Sequence, residues 1–224
     1  MAQMKGSYKR MRELKEKENI LLLTDIPKES IKWLSPDKNG KECQLNSQSM
    51  IKALGLPNNY FDKFWPKRGP QWDGLVITEG SKTLYMIEAK SYCGEISKGN
   101  VLRKDANEQQ KKNHELKCNS LKEAMSFFNI DDAKGKIWME KYYQISNRIA
   151  FYLHIKKALP TSKIDGAQLL FINFYNDPDW KNKHSSQEKF KMKYDKILNE
   201  MGLTYKQLEE NGIFIRFIDA NQIK

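Results

Sequence analysis

An α/β fold, a central mixed β-sheet flanked by helices, is predicted by three features of the sequence. Two apolar runs, "GLVIT" (74–78) and "TLYMIEAK" (83–90), flank the turn "EGSK" and read as a β-hairpin. "AQLLFINFY" (167–175) is nearly continuously apolar, as a strand buried on both faces must be. Between them, Trp138, Tyr142, Ile145, Ile149 and Leu153 recur at helical spacing, which predicts a helix over about 138–158, stopped by Pro160. A helix between two strands of one sheet makes a crossover to a parallel neighbour.

The remaining elements follow in order. Residues 1–20 are rich in Lys, Arg and Glu and read as a basic N-terminal arm or a solvated helix. "LSPDKNGKECQ" (34–44) reads as loop. "NSQSMIKALGL" (46–56) predicts a short helix capped by Asn46 or Ser47 and stopped at Gly55. Residues 94–120 hold six Lys or Arg without a clear apolar period, which predicts a polar insert, either a mobile loop or an exposed helix. "SSQEKFKMKYDKILNEMG" (185–202) predicts a helix with a capping box from Ser185 to Glu188 and a stop at Gly202. "TYKQLEENG" (204–212) predicts a shorter helix, and "IFIRFID" (213–219) a closing strand. The 224 residues suit a single domain with a sizeable core.

Lys and Arg number 39 against 28 Asp and Glu, for a net charge of +11 and a pI of about 9.4. Such a balance suits a polyanionic partner, nucleic acid or an anionic membrane, and equally a merely Lys-rich protein. No stretch approaches the ~20 apolar residues of a membrane span, and the N-terminus lacks the apolar segment of a signal peptide. The expectation is a cytoplasmic protein with no membrane partner. Cys43, Cys93 and Cys118 are odd in number and widely spaced, which suggests neither a disulfide framework nor a zinc knuckle. The signatures of P-loop ATPases, α/β-hydrolases and zinc deaminases are missing from the sequence.

The hairpin carries the chemistry. With a turn at 79–82, Thr78 faces Thr83 and opposed residue numbers sum to 161, so Asp73 faces Glu88. Opposed residues project from one sheet face with Cβ atoms ~5 Å apart, and Lys90, two positions beyond Glu88, shares that face. A one-residue slip would send Asp73 to the other side. Two carboxylates this close repel, and a divalent cation resolves the conflict. Oxygen ligands suit Mg²⁺, with Asp73, Glu88 and the Ala89 carbonyl as ligands and a substrate phosphate beside them. Lys90 would orient the attacking water or neutralise transition-state charge. Lys67 and Arg68 stand near the mouth of the hairpin, where a phosphate would approach. The competing reading is an ordinary Asp-Gly turn with a solvated Glu-Ala-Lys strand end.

The pattern of Asp73-Gly-Leu-Val-Ile followed, fifteen residues after the aspartate, by Glu88-Ala89-Lys90 resembles the PD-(D/E)xK nuclease superfamily. That superfamily includes restriction enzymes and nucleases of repair and recombination. The resemblance covers roughly residues 46–175. It implies a restriction endonuclease-like core, with Asp73 and Glu88 as metal ligands and Lys90 as the catalytic lysine. It further implies Mg²⁺ (or Mn²⁺) as cofactor, DNA as partner with RNA not excluded, and a homodimer where both strands are cut. "YYQISNRIAFYL" (142–153) is similar to the glutamine-bearing helix of RecB-like members, which implies a supporting catalytic role for Gln144. Arg148, one turn on, would meet a phosphate. The alternative is that both are the polar flank of an amphipathic helix. The sequence departs from the family in its proline, Pro70, three positions before Asp73, and in its first-helix acidic residue, for which neither Glu42 nor Glu29 is an assigned counterpart. A nuclease and a catalytically inactive nucleic-acid-binding protein of the same fold both fit these features.

Overall fold

Two nearly continuous apolar runs make the hairpin, whose strands are buried on both faces at the centre of the sheet. The structure, a computed structural model, describes residues 6–16, 26–27, 30–36, 41–96 and 99–223. Strands β4 (Gly74–Thr78) and β5 (Thr83–Lys90) pair antiparallel with Gly74 opposite Ile87 and Ile77 opposite Leu84, the register in which partners sum to 161. β1 (Ile31–Ser35) adds to the outer edge of β4, antiparallel. β6 (Gly166–Tyr175) joins β5 in parallel, and β7 (Ile213–Asp219) joins β6 in parallel. The result is a mixed five-stranded sheet in the order β1-β4-β5-β6-β7. β2 (Cys43–Gln44) and β3 (Gln71–Trp72) form a separate two-stranded ribbon at the open end of the hairpin.

Helices cover both faces. On one face, Val76, Tyr85, Ile87, Ala89, Leu170 and Ile172 pack against Met11 and Leu14 of α1 (Gly6–Glu16). On the other, Leu75, Leu84, Met86, Leu169 and Phe171 pack into the larger core built by α2 (Gln48–Leu54), α3 (Glu108–Phe127), α4 (Tyr143–Ala158), α5 (Gln187–Met201) and α6 (Tyr205–Glu210). Along β5 the residues toward this larger core are Leu84, Met86, Glu88 and Lys90, so the strand delivers its two charges beneath α4.

The local signals account for most boundaries. Ser47 caps α2 and Gly55 ends it at φ 69°. The helix predicted over 138–158 begins as a π-helical turn, Ile137–Lys141, then breaks at Tyr142 before α4 proper. One expectation is corrected. The cap of α5 is Ser186, whose hydroxyl accepts from Lys189 N–H, one residue later than the Ser185 box. Of the two readings of the stretch 94–120, the exposed helix is the one found from residue 108 on, where the 20-residue α3 starts. Its capping box is Asn107 with Gln110, and its apolar contacts come only in its second half, at Leu121, Ala124 and Met125. The described part of the basic N-terminal stretch is α1, held down by the Arg10 guanidinium on buried Asp177 at 2.8 Å. Among the described residues, no helix is long and apolar enough to cross a membrane.

Candidate functional site

Asp73 lies at the bend between β3 and β4, where the hairpin register continued by one residue sets it opposite Glu88. Its Oδ2 accepts a hydrogen bond of 2.7 Å from the Ala89 N–H, which ties the two strand ends together. Glu88 and Lys90 are both buried, at 3% and 9% exposure, and the Lys90 ammonium donates to Glu88 Oε1 and, at 3.1 Å, to the Ala89 carbonyl. The three charges that sequence counting placed on one face are thus brought together.

Helix α4 completes the cluster. Gln144 Nε2 donates to Glu88 Oε1 at 2.8 Å. Arg148, a turn later and 5% exposed, places both Nε and Nη2 at 2.6 Å from Glu88 Oε2. The rest of its guanidinium is engaged as well. Nη2 donates to the Gln71 carbonyl at 2.7 Å, Nη1 donates to Asn147 Oδ1 at 2.8 Å, and the group lies 4.7 Å from the Trp72 ring centroid. Arg148 therefore faces inward as the counter-charge of Glu88, while Lys67 and Arg68 are exposed beside the ribbon. Because a carboxylate only accepts, Gln144 must turn its NH₂ toward Glu88, and its Oε1 is left buried without a partner.

The electrostatics separate the two carboxylates. Burial raises the Asp73 carboxyl, and the nearby Glu88 charge raises it further, against Lys90 and the Ala89 N–H, to about 8. Burial would raise Glu88 too, but Arg148 and Lys90 outweigh it and hold the group below the usual carboxylate range. Burial works to lower Lys90, and the Glu88 and Asp73 charges reverse this, so it stays a firm ammonium. One group escaped sequence reasoning. Glu42 adds to the push on Asp73, and the β2–β3 register of Cys43 with Trp72, carried one residue on, sets Glu42 opposite Asp73. The signal lies in that two-residue pairing, which no periodicity announces.

Among the described residues, no three His, Cys, Asp or Glu side chains gather as a metal-binding group. No protein-family model, no curated protein and no solved structure matches the chain. What stands is local: two opposed carboxylates, a lysine between them, and an unpartnered amide oxygen at their side.

Proposed function

We propose that the chain is a Mg²⁺-dependent nuclease of the PD-(D/E)xK type, hydrolysing phosphodiester bonds in DNA, with Mn²⁺ as a substitute ion. The observation that carries this reading is geometric: at the open end of the hairpin Asp73 stands opposite Glu88, with Lys90 on the same face, and desolvation with the Glu88 charge pushes the Asp73 carboxyl up. A group so placed takes up either a proton or a cation. The surrounding donors are oxygens, which suit a hard ion: Asp73, Glu88 and the Ala89 carbonyl would hold it, and the unpartnered Gln144 Oε1 could accept from a bound water. Such an ion would supply a water of lowered pKa and stabilise charge developing on the phosphorus.

The protein's own groups divide the remaining work. Lys90, kept protonated by its two carboxylate neighbours, is a cation for the non-bridging oxygens of the scissile phosphate. Gln144 and Arg148 are positioning residues that fix the Glu88 carboxylate. Lys67 and Arg68, exposed and without an ion pair among the described residues, are free to meet flanking phosphates. In hydrolysis of the kind the resemblance implies, a water oxygen bonds to phosphorus and gives up a proton as the bond to the leaving O3′ breaks, and that oxygen takes up a proton from solvent, which leaves a 5′-phosphate and a 3′-hydroxyl.

A second reading is favoured by the completeness of the cluster around Glu88. Both of its oxygens are already met by Arg148, Lys90 and Gln144, as in a protein that binds nucleic acid without cutting it. Cleavage separates the two. Supercoiled and linear DNA are incubated with Mg²⁺ or Mn²⁺ and the wild type, Asp73→Asn or Lys90→Ala. The nuclease reading expects cutting by the wild type alone, with both variants folded. DNA binding without cutting by any of them supports the second reading.

A further inference from the structure

The polar insert "RKDANEQQKKNHELK" (103–117) is a candidate DNA-facing surface in the sequence, and a cleft lies beside its helix, α3. The first five residues of α3, 108–112, are exposed, and the start of this helix lines one side of a cleft of about 650 Å³. The opposite wall is α2 and the segment 58–67, with Phe61 and Trp65 along the floor. The cleft reaches α4, the helix that contacts Glu88. Trp65 stacks near Tyr143, with centroids 6.2 Å apart, and Lys117 of α3 lies 5.5 Å from that same ring. Tyr143 immediately precedes Gln144, the Glu88 partner.

The chemistry of the walls is specific. Lys67 on one side and Lys112 on the other have no ion pair among the described residues. Asp62 is the one carboxylate in the lining. Gln109 Nε2 donates to Asn113 Oδ1 at 3.0 Å across one helical turn. That bond fixes both amides and leaves a Gln109 acceptor and Asn113 donors unengaged among the described residues. A donor beside an acceptor matches the edge of a nucleobase.

We infer that this cleft binds an unpaired nucleotide of the substrate strand, with its phosphates between Lys67 and Lys112 and its base edge on Gln109 and Asn113. The inference rests on the nuclease reading for its substrate and adds the substrate form: single-stranded ends, flaps or unpaired regions. About 650 Å³ lies in the range that encloses small ligands and is room for a single nucleotide. Unpaired bases can enter a pocket and offer their edges.

The test is fluorescence anisotropy of the wild-type protein in EDTA, with a labelled eight-nucleotide single strand and a blunt duplex of the same sequence. The single strand is expected to bind at least 10-fold more tightly. Lys67→Gln and Lys112→Gln are each expected to flatten the slope of log K against log salt by about 0.7, the loss of one single-strand phosphate contact. Gln109→Leu with Asn113→Leu is expected to level the affinities for oligo-dA, oligo-dC and oligo-dT while the salt slope stays. All four side chains stand on the surface or its rim, so the variants fold. Equal binding of duplex and single strand, or salt slopes unchanged in both lysine variants, overturns the inference. The nuclease reading fails separately. Single-strand binding with these signatures and no cleavage under Mg²⁺ removes the nuclease and keeps the cleft. Cleavage of blunt duplex by a protein whose cleft variants bind normally does the reverse.

Discussion

Replacing Arg148 with methionine removes the main counter-charge of a carboxylate that is only 3% exposed. Glu88 loses both bonds to its Oε2, and the Gln71 carbonyl loses its donor, while Lys90 and Gln144 remain on Oε1. Breaking a buried ion pair from one side costs roughly 3–5 kcal/mol. With Lys90 still in place the lower end applies, about 3 kcal/mol. For a chain of this size each kcal/mol moves the midpoint by about 2–4 °C, so Tm should fall by roughly 6–12 °C. The assay is thermal unfolding by circular dichroism in EDTA at pH 7. Glu88→Gln added to Arg148→Met removes the stranded charge and should recover at least half of the loss. A fall of less than about 2 °C in the single variant refutes the inward role of Arg148. It would mean that the guanidinium is solvated and available to a phosphate.

Further expectations concern other parts of the fold. In metal-free protein the Asp73 carboxyl titrates near 8 when folded against 3.8 unfolded, so its contribution is complete below about 4 and is lost as pH rises toward 8. Asp73→Asn should therefore gain stability over the wild type across that window and level off above it. Melting curves from pH 4 to 9 with a constant difference would contradict the burial of this group, and Mg²⁺ should raise Tm only where Asp73 is present. Arg10→Met strands buried Asp177 and should cost about 3–5 kcal/mol, read as a lower urea midpoint with earlier proteolysis of α1. Gly202→Ala should cost about 1 kcal/mol through backbone strain alone, since its φ is 80° and a methyl there would meet nothing closer than 3.6 Å. A substitution with no effect on the denaturation midpoint would show that the α5 terminus relaxes freely.

The charged face of the hairpin was readable because it depends on short-range counting. A four-residue turn fixes the hairpin register, and the period of two then places Asp73, Glu88 and Lys90 without knowledge of the rest of the chain. Gln144 came from the resemblance of residues 142–153 to a glutamine-bearing helix, and it shares its helix face with Arg148, one turn on. Arg148 was located on the right helix but given an outward task. Only the packed structure shows that α4 lies over β5, so that its polar flank points at Glu88. Glu42 was out of reach because the pairing that aims it joins residues 43–44 to 71–72 across an intervening helix. β1 was hidden by its shortness and its edge position, where one face alone is constrained. α3 was left undecided between loop and exposed helix because its first residues have no apolar stripe to read. The sequence "NEQQ" did carry its capping signal, and a cap beside a polar run is the better indicator of such a helix.

The parallel pairing of β5 with β6 also sets a timetable for synthesis. A chain emerging from the ribosome completes the hairpin first, with Glu88 and Lys90 at its open end, while the other edge of β5 waits for residues 166–175. Arg148 and Gln144 arrive between these two events. Until they dock, Glu88 is hydrated and nothing forces Asp73 toward a proton or an ion. The paired charges acquire their buried character when α4 packs over β5 and β6 pairs along its free edge, so a nascent or truncated chain ending before residue 166 carries the site's side chains without the full sheet and core that bury them.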